Sequence, residues 1–384
     1  MVGMPSWLPQ LLACARCHGG LEEDRGVWTC SACGVVARQS LGFPDFLASQ
    51  DHLALANGDS MDLAADYSAG AELAEASKAL DFAGLARRAA AQQAERSGKS
   101  AWSPRRRHAC DRFHAGLSQV NSEAAAQGGE ALLAKVDGKL DELGWPRPQG
   151  TLALEAAGGA GYFLPAFSRR FGRVVFVDAS LPGLILAAKL AQEQGVADVA
   201  FVRADVVRLP FADGVFDFVH ENGVIEHVHQ PSMMLAEAVR VRKGGGHLVC
   251  VSPNRFTVAP EPHFGIPLYG AVPAAVRRRL VPALRGFEDG AGTDLRSLGQ
   301  LRRDMEQGLV GDDATVFFLP RRLSFTARQT FLRQLVRRVL DSQRAGAVVN
   351  HALNVTFLAL MPQHIVVAHC PAAEVSVGYR QDFA

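Results

Sequence analysis

From Thr151 onward, short apolar runs alternate with longer segments whose apolar residues recur at helical spacing. The runs are 152–156, 173–177, 199–202, 215–220 and 247–251, and the clearest helical segments between them are 181–194 and 231–242. Short runs with little polar alternation suit strands buried on both faces. Strands that alternate with helices predict a parallel sheet covered on both sides. Further on, 353–361 and 364–370 are two closely spaced strand candidates able to pair as an antiparallel edge. The expectation is an α/β, Rossmann-like fold built on a seven-stranded, mostly parallel sheet.

Upstream the pattern changes twice. Alanine dominates 50–135, with Leu, Glu, Arg and Gln and few strand formers, a composition that favours helix. Leu73, Ala76, Leu80, Leu85 and Ala89 predict one helix over 72–95. Ser97-Gly98-Lys99-Ser100 ends it, and Ser103-Pro104 caps a second. Trp145-Pro146-Arg147-Pro148-Gln149-Gly150 reads as a linker, because two prolines and a glycine interrupt regular structure. The stretch 11–47 is rich in cysteine and glycine and closes on Leu41-Gly42-Phe43-Pro44-Asp45-Phe46. Three units follow: a ribbon over 1–49, a helical lid or linker over 50–149, and the α/β domain over 150–384 with an insertion at 253–322.

Composition narrows the class. A chain of 384 residues suits two or three structural units, and 48% hydrophobic with 21% charged residues fits a soluble globular protein. A net charge of +1 argues against a general polyanion binder. Four of the seven cysteines form two pairs, while Cys110, Cys250 and Cys370 stand alone, which points to a reducing compartment and a metal site rather than disulfides. No apolar run reaches the roughly eighteen residues of a membrane span. The first residues lack the charged start of a signal peptide, so a cytoplasmic protein is expected.

Cys14-x-x-Cys17 and Cys30-x-x-Cys33 are separated by twelve residues. Each turn aims two thiolates at one point, and two turns complete a tetrahedron around Zn²⁺. Four thiolates leave no position for water, so such a zinc is structural. His18 adjoins Cys17 and is read as an exposed neighbour rather than a ligand.

A second motif lies at the first strand. Glu155-Ala156-Ala157-Gly158-Gly159-Ala160-Gly161 carries that strand into a small-residue loop before a helix, where a ligand can approach backbone amides. Asp178 ends the next strand, placed to hold ribose hydroxyls. The pattern continues through Arg203-Ala204-Asp205-Val206, Leu209-Pro210-Phe211 to Val219, Ile225-Glu226-His227-Val228, and Val241-Arg242-Lys243-Gly244-Gly245-Gly246-His247. Over roughly 150–256 these motifs resemble the class I S-adenosylmethionine-dependent methyltransferases.

The resemblance implies roles for individual residues. Glu155 would lie beside the methionine part of the cofactor, with the loop from Ala157 through Gly159 to Gly161 packed against it. Asp178 would accept both ribose hydroxyls. Asp205 would accept from the adenine amino group, near the Val206 amide, and the backbone around Glu221 would bound the methionine end. Asp213 and Asp217 read as structural, and 243–246 as a turn. One departure is Ala157, where the family usually has glycine; at positive φ alanine costs about 1 kcal/mol or more. The segment from Leu21 to Phe46 in turn resembles the small zinc ribbon that precedes many bacterial methyltransferases, a relative of which occurs in methyltransferase activator proteins.

Three histidines are candidates for a general base that would help methyl transfer to a hydroxyl: His227 after the fourth strand, His220 at that strand's end, and His263 in Glu261-Pro262-His263. The long segment 253–322, with Pro253-Asn254-Arg255-Phe256, is placed to carry substrate contacts. Similar Pro-Asn-Arg stretches occur in methyltransferases of polysaccharide and secondary-metabolite pathways. The arginine runs 105–107, 277–279, 321–322 and 337–338 read as solvated faces, without the interleaved aromatics of a base-stacking site. The leading expectation is a methyltransferase acting on a small-molecule or glycan substrate, with oxygen as acceptor and no nucleic-acid partner. Its rivals are an RNA methyltransferase that docks through the ribbon and a non-catalytic methyltransferase-like partner protein. The oligomeric state stays open.

Overall fold

In the computed structural model, residues 4–47, 62–96, 123–256, 268–273, 275–277, 279, 294–317 and 363–369 are described. The chain opens with four short strands, β1 (Leu21–Asp24), β2 (Val27–Cys30), β3 (Val36–Ser40) and β4 (Phe43–Asp45). Helices α1 (Leu63–Ala76), α2 (Phe82–Arg96) and α3 (Glu123–Leu143) follow. The α/β part runs β5 (Leu152–Ala156), α4 (Leu164–Phe171), β6 (Arg173–Asp178), α5 (Leu181–Glu193), β7 (Val199–Arg203), β8 (Phe216–Asn222), α6 (Pro231–Val241) and β9 (Arg242–Pro253). It closes with α7 (Leu298–Gly308), β10 (Asp313–Phe317) and β11 (Gln363–His369). No helix among the described residues is long and apolar enough to cross a membrane.

All five predicted parallel strands form, and β5 to β8 pair in parallel through rungs such as Glu155↔Phe176 and Glu155↔His220. The sheet order is β1-β2-β3-β4-β7-β6-β5-β8-β9-β11-β10, eleven strands rather than the expected seven. The difference comes from the ribbon. Its last strand β4 adds in parallel to the open edge of β7 at Asp45↔Arg203, and the Phe46 amide donates to the Arg203 carbonyl at 2.9 Å. An unpaired edge of main-chain donors and acceptors is thereby satisfied.

Two apolar layers sandwich the sheet. On one side Leu154, Val175, Val202 and Val219 meet α6, α7 and the ribbon's Leu8, Leu12, Trp28 and Phe46. On the other, Ala153, Phe176, Phe201 and Phe218 meet α4, α5 and the helices from 62–143. The predicted helix over 72–95 is two helices. Asp81 accepts from the Gly84 amide at 2.7 Å and its carbonyl from the Leu85 amide at 2.8 Å, so it starts α2 after a break that leaves Leu80 exposed. The 243–246 turn is also redrawn: these residues belong to β9, where they bulge out of the ladder between the rungs Phe216↔Arg242 and Phe218↔His247. At the far edge β11 pairs antiparallel with β9 and with β10, while 353–361 lies outside the described residues. Within that edge His247 and His369 stack with ring centroids 4.6 Å apart, both buried.

Candidate active site

The C-terminal tips of β5 to β8 converge on one cavity of about 220 Å³, lined by Ala157, Asp178, Ala179, Ala204, Asp205, Val206, Gly223, Val224, His227 and Val228. Ligands of open α/β sheets bind at such strand ends. A wider groove of about 480 Å³ runs along α1 and α2, beside Glu72, Glu75, Ala76, Leu80 and Arg88, away from the strand tips.

The loop after β5 is shaped by its small residues. A Cβ on Gly158 would collide with the Phe176 ring and reach the Glu155 Cγ at 2.6 Å, so the loop lies directly on those two side chains. Gly161 has φ +79°, and a Cβ there would meet Ala187 at 2.8 Å. Ala157 holds a φ of +53°, the left-handed conformation that its departure from glycine makes costly. Its amide donates to the Val177 carbonyl at 2.8 Å, which fixes the loop to the tip of β6.

Asp178 ends β6 and bridges that loop to the next helix. Its Oδ2 accepts from the Gly159 amide at 2.9 Å and its Oδ1 from the Ser180 amide at 2.8 Å. Burial pushes its carboxyl up to about 6, with the two amides pulling the other way. Each carboxylate oxygen keeps a second acceptor position. Asp205 follows β7, with Oδ1 accepting from the Val207 amide at 3.1 Å. Two carboxylates therefore stand at adjacent strand tips, with Val206, Val224 and Val228 as apolar walls. That pair of acceptors fits a ligand with vicinal hydroxyls and a flat heterocycle.

His227, on a 3-10 turn after β8, lines the cavity and is 41% exposed. Glu155 and His220 sit elsewhere. Their side chains lie in the opposite layer, beneath the glycine loop, with His220 Nδ1 2.8 Å from Glu155 Oε2 and the Phe163 and Phe167 rings packed on the imidazole. Burial pushes the Glu155 carboxyl up, partly offset by His220. Glu221, also outside the cavity lining, is fully buried with no hydrogen-bond partner among the described residues on either carboxyl oxygen, and burial pushes it up to about 8. Asp217 is structural as read: it accepts from the Thr151 and Leu152 amides at 3.0 and 3.1 Å, and Asp213 pairs with Arg240 at 2.7 Å. His263 lies outside the described residues.

The four cysteines converge. All four Sγ atoms lie within 4.8 Å of one another, with Cys14–Cys33, Cys17–Cys30 and Cys17–Cys33 each at 3.5 Å. Zn–S bonds of about 2.3 Å in a tetrahedron place sulfurs about 3.8 Å apart, so the cluster is close to a metal-ready geometry. His18 is exposed and outside it.

Three residues have roles that the sequence alone does not assign: Asp45 and Arg203, both buried, and the partly buried Asp66. Arg203 donates to Asp45 at 3.0 Å, to Asp66 at 2.7 Å and to the Ala179 carbonyl at 2.9 Å. An arginine at the tip of an apolar strand is the available signal, because a buried guanidinium requires acidic partners.

Comparison with known proteins follows these boundaries. Residues 154–250 match the family described as Methyltransferase domain. Demethylmenaquinone methyltransferase of Thermobifida fusca (strain YX) is 36% identical over 111 residues, 29% of this chain and 47% of that protein. An uncharacterised methyltransferase of Mycobacterium sp. (strain JLS) is 39% identical over 99 residues, 26% of this chain and 37% of that protein. The chain thus spans less than half the length of these curated relatives. Among solved structures, geranyl diphosphate C-methyltransferase from Streptomyces coelicolor A3(2) aligns with a TM-score of 0.36 at 18% identity, covering 61% of this chain and 77% of that one.

Proposed function

We propose that this chain is an S-adenosylmethionine-dependent methyltransferase that acts on a hydroxyl of a small-molecule or glycan substrate. The observation that carries the reading is the pair of carboxylates, Asp178 and Asp205, at adjacent strand tips of a methyltransferase domain, flanking one cavity. In this reading Asp178 holds the ribose hydroxyls through its remaining acceptor positions, and Asp205 with the Val206 amide holds the adenine edge. Ala157, Gly159 and Gly161 shape the backbone facing the ligand. The main chain from Glu221 to Gly223 bounds its far end, and Glu155 with His220 supports the loop from below.

When bound, S-adenosylmethionine supplies an electrophilic methyl group on a sulfonium. The chain's work is then positioning and proton removal. His227, at the cavity wall and partly open to solvent, would take the proton of the acceptor hydroxyl. The cysteine cluster takes Zn²⁺ as a closed, structural site, because four thiolates fill its tetrahedron.

Calorimetric titration of S-adenosylmethionine into the zinc-loaded chain, beside Asp178→Ala, tests the reading. Micromolar binding that the variant loses is expected. Absence of binding to correctly folded protein would refute it and favour a non-catalytic partner role.

A further inference from the structure

Two arms of chain and hydrogen bonds lead from the cysteine cluster to the two carboxylates of the cavity. On the first, Cys14 follows Ala13, whose amide donates to the Pro210 carbonyl at 3.0 Å, and Leu12 bridges Phe211. The Ala212 amide donates back to the Leu11 carbonyl at 3.0 Å. These bonds brace the segment that begins at Asp205. Leu12, Trp28 and Phe46 share one apolar cluster with Val206, Val207 and Phe211.

On the second arm, Cys30 ends β2 and Cys33 leads into β3, which pairs with β4 and so places Asp45. The Asp45 carboxylate is set by the Leu47 amide at 2.9 Å and the Ser40 hydroxyl at 2.5 Å, and it receives Arg203. Arg203 is 3% exposed. Its remaining donors grip Ala179, next to Asp178, and Asp66 on α1. Asp66 in turn accepts from the Leu181 amide at 3.0 Å and the Ser180 hydroxyl at 3.3 Å, on the turn whose Ser180 amide holds Asp178. The Ala204 amide closes the circuit by donating to the Asp178 carbonyl at 3.3 Å.

We propose that Arg203 is a positioning residue that couples the two sites, so that metal at the four cysteines tightens cofactor binding and cofactor tightens metal binding. The proposal rests on the reading of both sites given above. Metal that immobilises the ribbon fixes Asp45. The fork of Arg203 then holds Ala179 and Asp66, and with them the turn that presents Asp178. A guanidinium serves because three directions must be satisfied at once from a rigid plane, which an ammonium does not match. Linkage requires the factor to be equal in both directions.

The test measures zinc affinity of the full chain by competition with a chromophoric chelator, with and without saturating S-adenosylhomocysteine, and nucleoside affinity by calorimetry at high and low free zinc. About tenfold tightening is expected in each direction, inside the usual span of such couplings. In Arg203→Lys, which keeps the charge but loses the fork, both factors should fall below about twofold with zinc still bound. Equal zinc affinities with and without S-adenosylhomocysteine in the wild-type chain would overturn the coupling, and that measurement needs no variant to fold. Failure of zinc or S-adenosylhomocysteine to bind the wild-type chain at all would instead overturn the reading of that site, and the coupling with it.

Discussion

Ala157→Gly isolates the strain stored at the cavity wall. Ala157 sits at φ +53°, where an L-residue costs about 1–2 kcal/mol and glycine costs nothing comparable. Glycine forfeits about 0.5–1 kcal/mol through the entropy of the unfolded chain. Removing a half-buried methyl forfeits a few tenths more, taken from about 0.8 kcal/mol per buried carbon. The sum leaves a gain of about 0.5 kcal/mol, small enough to need an internal control. Ala153→Gly supplies it: Ala153 is fully buried in β5 and is not among the positive-φ residues. The entropy cost is common to both changes and cancels in their difference. Strain relief at 157 and the fuller methyl loss at 153 remain, a contrast of about 2 kcal/mol. Urea unfolding of the zinc-loaded chain and both variants measures it directly. Equal destabilisation by the two substitutions would refute the idea that residue 157 is strained.

Other predictions concern pH and metal. Glu221 has its carboxyl raised from about 4.5 to about 8, so the unfolded chain releases this proton first and stability falls as pH climbs through that window, by up to a few kcal/mol. Glu221→Gln should flatten the slope of unfolding free energy between about pH 5 and 8, as read from denaturant midpoints. His247 behaves oppositely. Burial, then His369, lowers it to about 4, so stability is lost as pH falls from about 6.5 towards 4, and His247→Gln should lessen that acid loss. Cys30→Ser should reduce zinc content measured by mass spectrometry and lower the thermal midpoint, because metal-binding energy is folding energy in such ribbons.

The α/β part was legible because parallel strands buried on both faces leave continuous apolar runs, and β5 to β8 are such runs almost end to end. The cavity carboxylates were legible for a related reason: Asp178 and Asp205 are the first acids after otherwise apolar strands. The same double burial hid the position of His220. With both faces apolar, alternation cannot say which layer a side chain enters, and His220 lies under the loop beside Glu155 rather than in the cavity. The described helices of 50–149 pack against the α4 and α5 layer, and none of their residues lines the cavity. Asp66 still reaches the Asp178 turn from α1. The ribbon's fusion to the sheet left little local signal, since β4 is three residues long and contains Pro44. Such a strand is recognised only by the partner it meets 158 positions later.

That separation sets an order of events during synthesis. Strands β1 to β4 pair with their immediate neighbours, so the ribbon can close on its own local contacts. At about 5–20 residues per second, Arg203 is made roughly 8–30 s after Asp45. For that interval the outer edge of β4 faces solvent as a template for stray pairing, and its shortness and proline blunt the hazard. The first-made strands of the sheet therefore wait for β7, and the edge they complete is sealed before β8 to β11 have been made.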